Sequence, residues 1–214
     1  MSAKIRRGRP DDADFLARVM MLASRGHLSR GVWDLIAGGS EENCLDYLRR
    51  LALAAPVSLC HYSSFIVTEY ANRPAAALCG FDPSAGGWQT LGDAMQNVQR
   101  EIGWTQADEK ASADRTQPVW KCTFDTLEGA WVIESVATIL QYRRHGLADS
   151  LMAEILEIGR ARGHRLAQLT VLIGNLAAQR AYEKAGFTVR DEKRHPDFQA
   201  TLGASGFMRM VREY

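Results

Sequence analysis

The sequence predicts one α/β domain. Three observations lead there. The chain has 214 residues, 46% of them hydrophobic and 24% charged, which is ordinary for a globular protein and enough to bury a core without staples. Stretches rich in β-branched and aromatic residues alternate with stretches of helical periodicity from end to end. No internal repeat or low-complexity tract interrupts them, so a single interleaved domain over residues 1–214 fits better than two.

Taken in order, Ala3 to Arg7 reads as a short first strand. Pro10-Asp11-Asp12 opens a helix with acids in its first turn, and Phe15, Val19 and Leu22 give it an apolar face. Ser40 suits the N-cap of a second helix reaching Leu53, with Leu45, Leu48, Leu51 and Ala52 on its apolar side. Ser64 to Tyr70 and Ala75 to Phe81 read as a hairpin, joined by the turn-like Ala71 to Pro74. The long segment Asp82 to Glu128 is atypical. Leu91, Met95, Val98 and Ile102 fall at helical spacing within it, whereas Thr105 to Pro118 is polar and reads as loop. Beyond it the pattern sharpens. Ala130 to Ile139 is a β-branched strand, and Leu147 to Arg162 is a helix with Leu147, Leu151, Ile155 and Ile158 on one face and Gly163 as its stop. Arg165 to Ile173 is a strand, Asn175 caps a helix ending near Gly186, and Phe187 to Asp191 and Phe207 to Val211 form a last strand pair.

Composition narrows the function. Lysine and arginine number 26 against 25 acids, a net charge of +1, which argues against a general nucleic-acid binder. The longest apolar stretch, Leu51 to Cys60, is too short to span a membrane and contains Pro56. The N-terminal residues lack the apolar run of a secretory signal. Cys44, Cys60, Cys79 and Cys122 have no zinc-ligand spacing, so no metal is expected and the thiols read as reduced and buried in a cytoplasmic protein. A Walker loop, a G-x-G-x-x-G fingerprint, a G-x-S-x-G elbow and an H-E-x-x-H pair are all missing, which disfavours kinases, dehydrogenases, serine hydrolases and zinc proteases.

The segment between strand 130–139 and helix 147–162 carries the chemistry. Arg143, Arg144, His145, Gly146, Leu147 and Ala148 bring cationic side chains and a glycine to a helix N-terminus. The first amides of a helix have no internal partner, and with the helix dipole they attract anions. Gly146 lets an anion approach the main chain closely. The loop therefore reads as a pyrophosphate cradle, or else as a surface loop with solvated arginines.

This loop resembles the (Q/R)-x-x-G-x-(G/A) loop of the GNAT family of N-acetyltransferases. Downstream, Asn175 to Phe187 is similar to that family's N-x-x-A-x-x-x-Y-x-x-x-G-F segment, with Tyr182 at the tyrosine position. The two motifs fall in order around a helix and a strand of suitable length. The resemblance is firm over roughly residues 130–190 and poor over 82–128. The sequence departs from the family pattern at Leu140, where many relatives carry proline, and at Asp149, where they often carry a small or hydroxyl residue.

The resemblance implies a mixed, mostly antiparallel sheet splayed between strands 130–139 and 165–173, with helices on both faces. It implies acetyl-CoA as cosubstrate, its pyrophosphate on the amides of Arg143 to Ala148, its pantetheine along Val136, Ala137 and Thr138, and Asn175 holding the same arm. The acceptor would be a small-molecule or protein amine attacking directly in a ternary complex. A homodimer would be in keeping with the family. The alternative is a non-catalytic acyl-CoA sensor with the same fold.

Chemistry then assigns roles. An alkyl amine of pKa about 10.4 is neutral in roughly one molecule per thousand at pH 7, so a base or a desolvated pocket must remove its proton. Glu134, mid-strand in WVIESVATI, is the base candidate; the other reading makes it an outward residue or an ion-pair partner. The departing thiolate benefits from a proton, and the resemblance implies Tyr182 as the acid that supplies it; otherwise Tyr182 is a core residue with its hydroxyl at the edge. An N–H near Val136 would meet the oxyanion. Arg180 and Lys184 read as a solvated helix face or as approaching the adenosine phosphate, His145 as a loop cation rather than a catalyst, and His195 as solvent-exposed or else reaching the acceptor side. Trp88, Trp104 and Trp120 would wall an acceptor pocket or fill core.

Overall fold

The computed structural model describes residues 3–214. Seven strands are formed: β1 Lys4–Arg7, β2 Phe65–Tyr70, β3 Arg73–Phe81, β4 Ala130–Thr138, β5 Leu166–Leu172, β6 Thr188–Arg194 and β7 Gly206–Glu213. They make one sheet in the order β1-β2-β3-β4-β5-β7-β6. The β4–β5 neighbours are parallel and the other pairs antiparallel, the mixed and mostly antiparallel α/β sheet expected. The β2–β3 turn consists of Ala71 and Asn72, both left-handed with φ of 51° and 61°, a geometry that matches the natural twist of a two-residue hairpin. Pro74 enters β3 beside a register shift opposite Thr68 and Glu69, where a missing N–H is tolerated.

The sheet is covered on both faces. On one lie α1 Ala13–Arg25, α3 Glu41–Leu51 and α4 Trp88–Glu101. Leu16, Met20, Tyr47, Leu48 and Val98 of these helices pack against Phe65, Val67, Cys79 and Val132 of the strands. On the other face lie α6 Leu147–Ala161 and α7 Leu176–Lys184. Leu151 and Ile155 bury Ile66, Leu78, Trp131 and Ile133, with Ala178 and Tyr182 at the margin. Burial of each such side chain is worth roughly 1.5–3 kcal/mol, and alternation along the strands sends odd and even residues to different layers. A smaller cluster joins α2 Val32–Ala37, α5 Gln106–Trp120 and α8 Pro196–Leu202 through Leu35, Val119, Phe198 and Leu202, over Leu172 of β5.

The structure corrects the reading of Thr105 to Pro118. The segment is helical, as α5. Thr105 caps it reciprocally: its hydroxyl accepts from the Asp108 amide, while the Asp108 carboxylate accepts from the Thr105 amide at 2.8 Å. The helix shows no apolar stripe because its contact side is small and polar. Ser112 donates to the Ile36 carbonyl at 2.9 Å and Arg115 to the Leu35 carbonyl at 2.7 Å, so α5 docks by hydrogen bonds onto the C-terminal end of α2. Two short helices, α2 and α8, also went unread. Each starts on a local cap: Asp34 accepts from the Gly31 amide, and His195 from the Asp197 amide.

Candidate active site

The parallel pair β4–β5 is matched only over Ala130↔Leu166, Trp131↔Ala167 and Val132↔Gln168. Beyond Val132 the two strands part, leaving the β5-facing edge of β4 open from Ile133 to Thr138 while its other edge stays paired to β3. The splay expected between these strands is therefore present. At its start β4 bulges. Cys79 lies opposite Glu134 and Ala77 opposite Ala137, so Ser135 and Val136 together face the single residue Leu78. Ser135 absorbs the extra residue in a left-handed conformation, φ 55°, an outlier for a serine and a local store of strain. The bulge also switches the faces of the strand: Val132 packs into the α1 layer before it, Ala137 after it, and Val136 into the α6 layer. Nothing in the sequence marks Ser135 for this role.

Glu134 sits where the pairing with β5 has ended. It shares the α1-facing side with Val132 and with its register partner Cys79. Burial raises its carboxyl to about 7, opposed by the Ser135 backbone N–H. Tyr182, on α7, is packed against Phe187 with ring centroids 6.3 Å apart. Its hydroxyl is held in the protonated form by burial and then by the Glu134 carboxylate. The two residues named from sequence as base and acid thus come from different elements to share one neighbourhood. Cys60 and Cys79 lie there too, their thiols pushed up by burial and by the same carboxylate.

At the C-terminal end of β4 the chain makes a tight turn over Leu140–Tyr142 and then the basic loop. Arg144 and Gly146 are both left-handed, φ 65° and 70°, and a Cβ at Gly146 would meet open space. The amide of Arg143 is already spent on the Leu140 carbonyl at 3.2 Å. The run of amides without an internal acceptor is therefore Arg144, His145, Gly146, Leu147, Ala148 and Asp149, the next bond being Ser150 to the Gly146 carbonyl. This free run starts and ends one residue closer to the helix than the expected span Arg143 to Ala148. The Arg143 side chain instead bonds the Thr138 carbonyl, tying the loop to β4. His145 is held by the Arg143 carbonyl at 2.9 Å and stands beside Tyr70. Asp149, an unfavourable charge near a phosphate, is paired to Lys184 across α6 and α7.

Asn175 caps α7, its side-chain oxygen accepting from the Ala178 amide at 3.3 Å. Its amide nitrogen lies against Gly26, and His27 lies against Gly174, so the α1–α2 turn closes over the end of β5. His195 caps α8. Trp104 stacks on Tyr47 at 5.8 Å beside a cavity of about 380 Å³ that also holds Glu42 and Asp46. Trp88 and Trp120 are half-exposed on α4 and α5, so these two fill no core. All four cysteines are buried and unpaired. Among the described residues no helix is long and apolar enough to cross a membrane, and no group of three metal-ligating side chains is gathered.

The family model "Acetyltransferase (GNAT) family" matches residues 111–187, a span that contains β4, the basic loop, α6, β5 and α7. No curated protein matches the chain. Among solved structures, one described as an acetyltransferase is 19% identical, covers 98% of each chain and superposes with a TM-score of 0.69. An N-acetyltransferase from Staphylococcus aureus Mu50 is 20% identical, with 97% of this chain and 99% of that one covered and a TM-score of 0.65. PaiA N-acetyltransferase from Thermoplasma acidophilum, solved in complex with coenzyme A, is 13% identical over the full length of both chains, with a TM-score of 0.52. At these identities the likeness is one of fold. The segment that matches the acetyltransferase (GNAT) family lies on the splayed strands and their loop, and the fold shared with the solved acetyltransferases runs from end to end.

Proposed function

We propose that this protein moves an acetyl group from acetyl-CoA to a primary amine, by direct attack within a ternary complex. The observation that carries the reading is the run of six free amides, Arg144 to Asp149, at the mouth of the β4–β5 splay. Such donors at a helix N-terminus fit a diphosphate, and the open Cβ position at Gly146 leaves room for one. The open edge of β4 at Val136, Ala137 and Thr138 suits an extended amide-bearing arm bound as an added strand would be. Asn175, with its side-chain nitrogen free of the capping bond, can hold the same arm. Acetyl-CoA supplies the activated acetyl group as a thioester.

The chain's own residues then divide the proton work. Glu134, poised near 7, takes the ammonium proton of the acceptor. The N–H at Val136 donates to the oxyanion formed on attack. The Tyr182 hydroxyl, kept protonated by burial and by Glu134, hands its proton to the departing thiolate. No covalent acyl-enzyme is needed, and the buried thiols Cys60 and Cys79 are held neutral and unreactive. The test is amine-dependent release of free thiol from acetyl-CoA, comparing the parent with Tyr182→Phe. We expect the variant to lose about 10²-fold in kcat with little change in acetyl-CoA affinity. Binding of acetyl-CoA without amine-dependent thiol release would favour a sensor instead.

A further inference from the structure

We infer that the acceptor site selects amines with no carboxylate beside the reacting nitrogen, such as alkyl- and arylalkylamines, over α-amino acids. The inference rests on the proposed use of Glu134 and names the acceptor class for that same site.

Glu134 projects to the α1-facing side of β4 at the start of the splay, opposite Cys79 and one alternation from Val132. Ala137 and the fully buried Cys60 belong to the same apolar cluster. Among the described residues the groups that sense the Glu134 carboxylate are Cys60, Cys79 and Tyr182, all uncharged acids. No cation contributes to its state.

The cations of α1, of the turn that follows it and of α7 are engaged or exposed. Arg25, at the end of α1, is held by Asp34 and Glu41. Arg18, on the same helix, is exposed. Arg30, past the α1–α2 turn, donates to the Thr201 carbonyl. His27 is exposed against Gly174. On α7, Lys184 is paired with Asp149, and Arg180 is exposed.

Among the described residues the crevice at Glu134 therefore holds one carboxylate on which no cation acts. An ammonium group supplies the missing counter-charge as it enters. A carboxylate carried on the adjacent carbon would bring a second negative charge against Glu134 in a desolvated space, where among the described residues no arginine or lysine acts on that group. Discrimination arises from this repulsion as much as from any attraction.

The experiment compares matched pairs that differ only by the carboxylate: phenethylamine with phenylalanine, 3-methylbutylamine with leucine, and tryptamine with tryptophan. Each is assayed with the full chain and acetyl-CoA by free-thiol release, and CoA binding is measured separately by calorimetry. We expect the carboxylate-free member of at least one pair to turn over with kcat/KM about 100-fold above its partner, and no amino acid to exceed its amine. Comparable or better turnover of the amino acids overturns the inference and leaves the acetyltransferase reading standing. So does CoA binding with no turnover of any of the three amines while other amines are acetylated. Failure to bind CoA at all would instead overturn the reading on which the inference rests.

Discussion

The two halves of β4 are built for different purposes. From Ala130 to Ile133 the strand is buried on both faces; its first three residues pair with β5, and Val132 and Ile133 pair with β3. From Glu134 to Thr138 it is only half-buried, bulged at Ser135, bonded along one edge and open along the other. The change falls within two residues. The first half contributes apolar burial and clamps β5; the second gives up that pairing and so exposes main-chain groups and a carboxylate in a crevice. Stability and the proposed chemistry are thus adjacent along one strand but drawn from separate interactions, and a substitution in either half should report on that half alone.

The largest effect is expected in the closed half. Trp131 is 1% exposed, packed between Gly80, Gly159 and Ile155, with Arg162 over its ring at 5.1 Å. Trp131→Ala should cost about 3–5 kcal/mol by emptying that space. Denaturant unfolding measures it. The folded fraction should keep its KM for acetyl-CoA, because the open edge begins beyond this residue. A KM that rises in step with the loss of stability would show that the halves are not separable.

Glu134→Gln probes the open half. In the parent, turnover should rise with pH through about 7 as the carboxyl ionises. The variant should lose that limb and about 10²-fold in kcat above it. Stability should move the other way. Folding raises this carboxyl from 4.5 to about 7, so the folded state binds more protons across that window. Stability is then full below 4.5, falls as pH rises through the window and stays reduced above 7. Glutamine carries no such cost, so the variant should be more stable than the parent at pH 8 by on the order of 2 kcal/mol, with the difference closing at low pH. An equally stable variant at pH 8 would mean that the carboxylate is solvated and the crevice is not the desolvated place the chemistry requires.

The legibility of the molecule follows the same division. Elements held by apolar periodicity were readable: β4, α6 and β5 emerge within one or two residues because Trp131, Leu151, Ile155 and Leu169 alternate or recur as burial demands. Elements held by polar contacts were not. Helix α5 hides in a polar stretch because Ser112 and Arg115 dock it by hydrogen bonds, and α2 is too short for periodicity to show. At the site, Glu134 could be named because a charge mid-strand is costly, the basic loop because cations and a glycine meet a helix N-terminus, and Tyr182 because its segment resembles a family motif. The positive φ of Ser135 and the use of the Arg143 amide by Leu140 are backbone events. They arise from the pairing of β4 with β3 and the turn over Leu140–Tyr142, which no single residue announces.

Gly146→Val gives the smallest expected effect on the fold and the sharpest test of the open half. The residue is left-handed at φ 70°, yet a Cβ placed there meets nothing within 4 Å. The substitution therefore costs only the local conformational penalty of a β-branched residue, about 1–2 kcal/mol, with no clash in the free protein. What it changes is the space above six unpaired amides. A branched side chain standing over them blocks the approach of a diphosphate while leaving Glu134 and Tyr182 untouched. Calorimetric titration should show CoA binding weakened by about tenfold or more, and kcat at saturating acetyl-CoA should be nearly unchanged, since the proposed acid and base, Tyr182 and Glu134, are not altered. Weaker binding with unchanged turnover would separate grip from chemistry within the open half. If CoA affinity were unaltered, the free amides would be bystanders and the diphosphate would have to be held by side chains such as Arg143 and Arg144 instead.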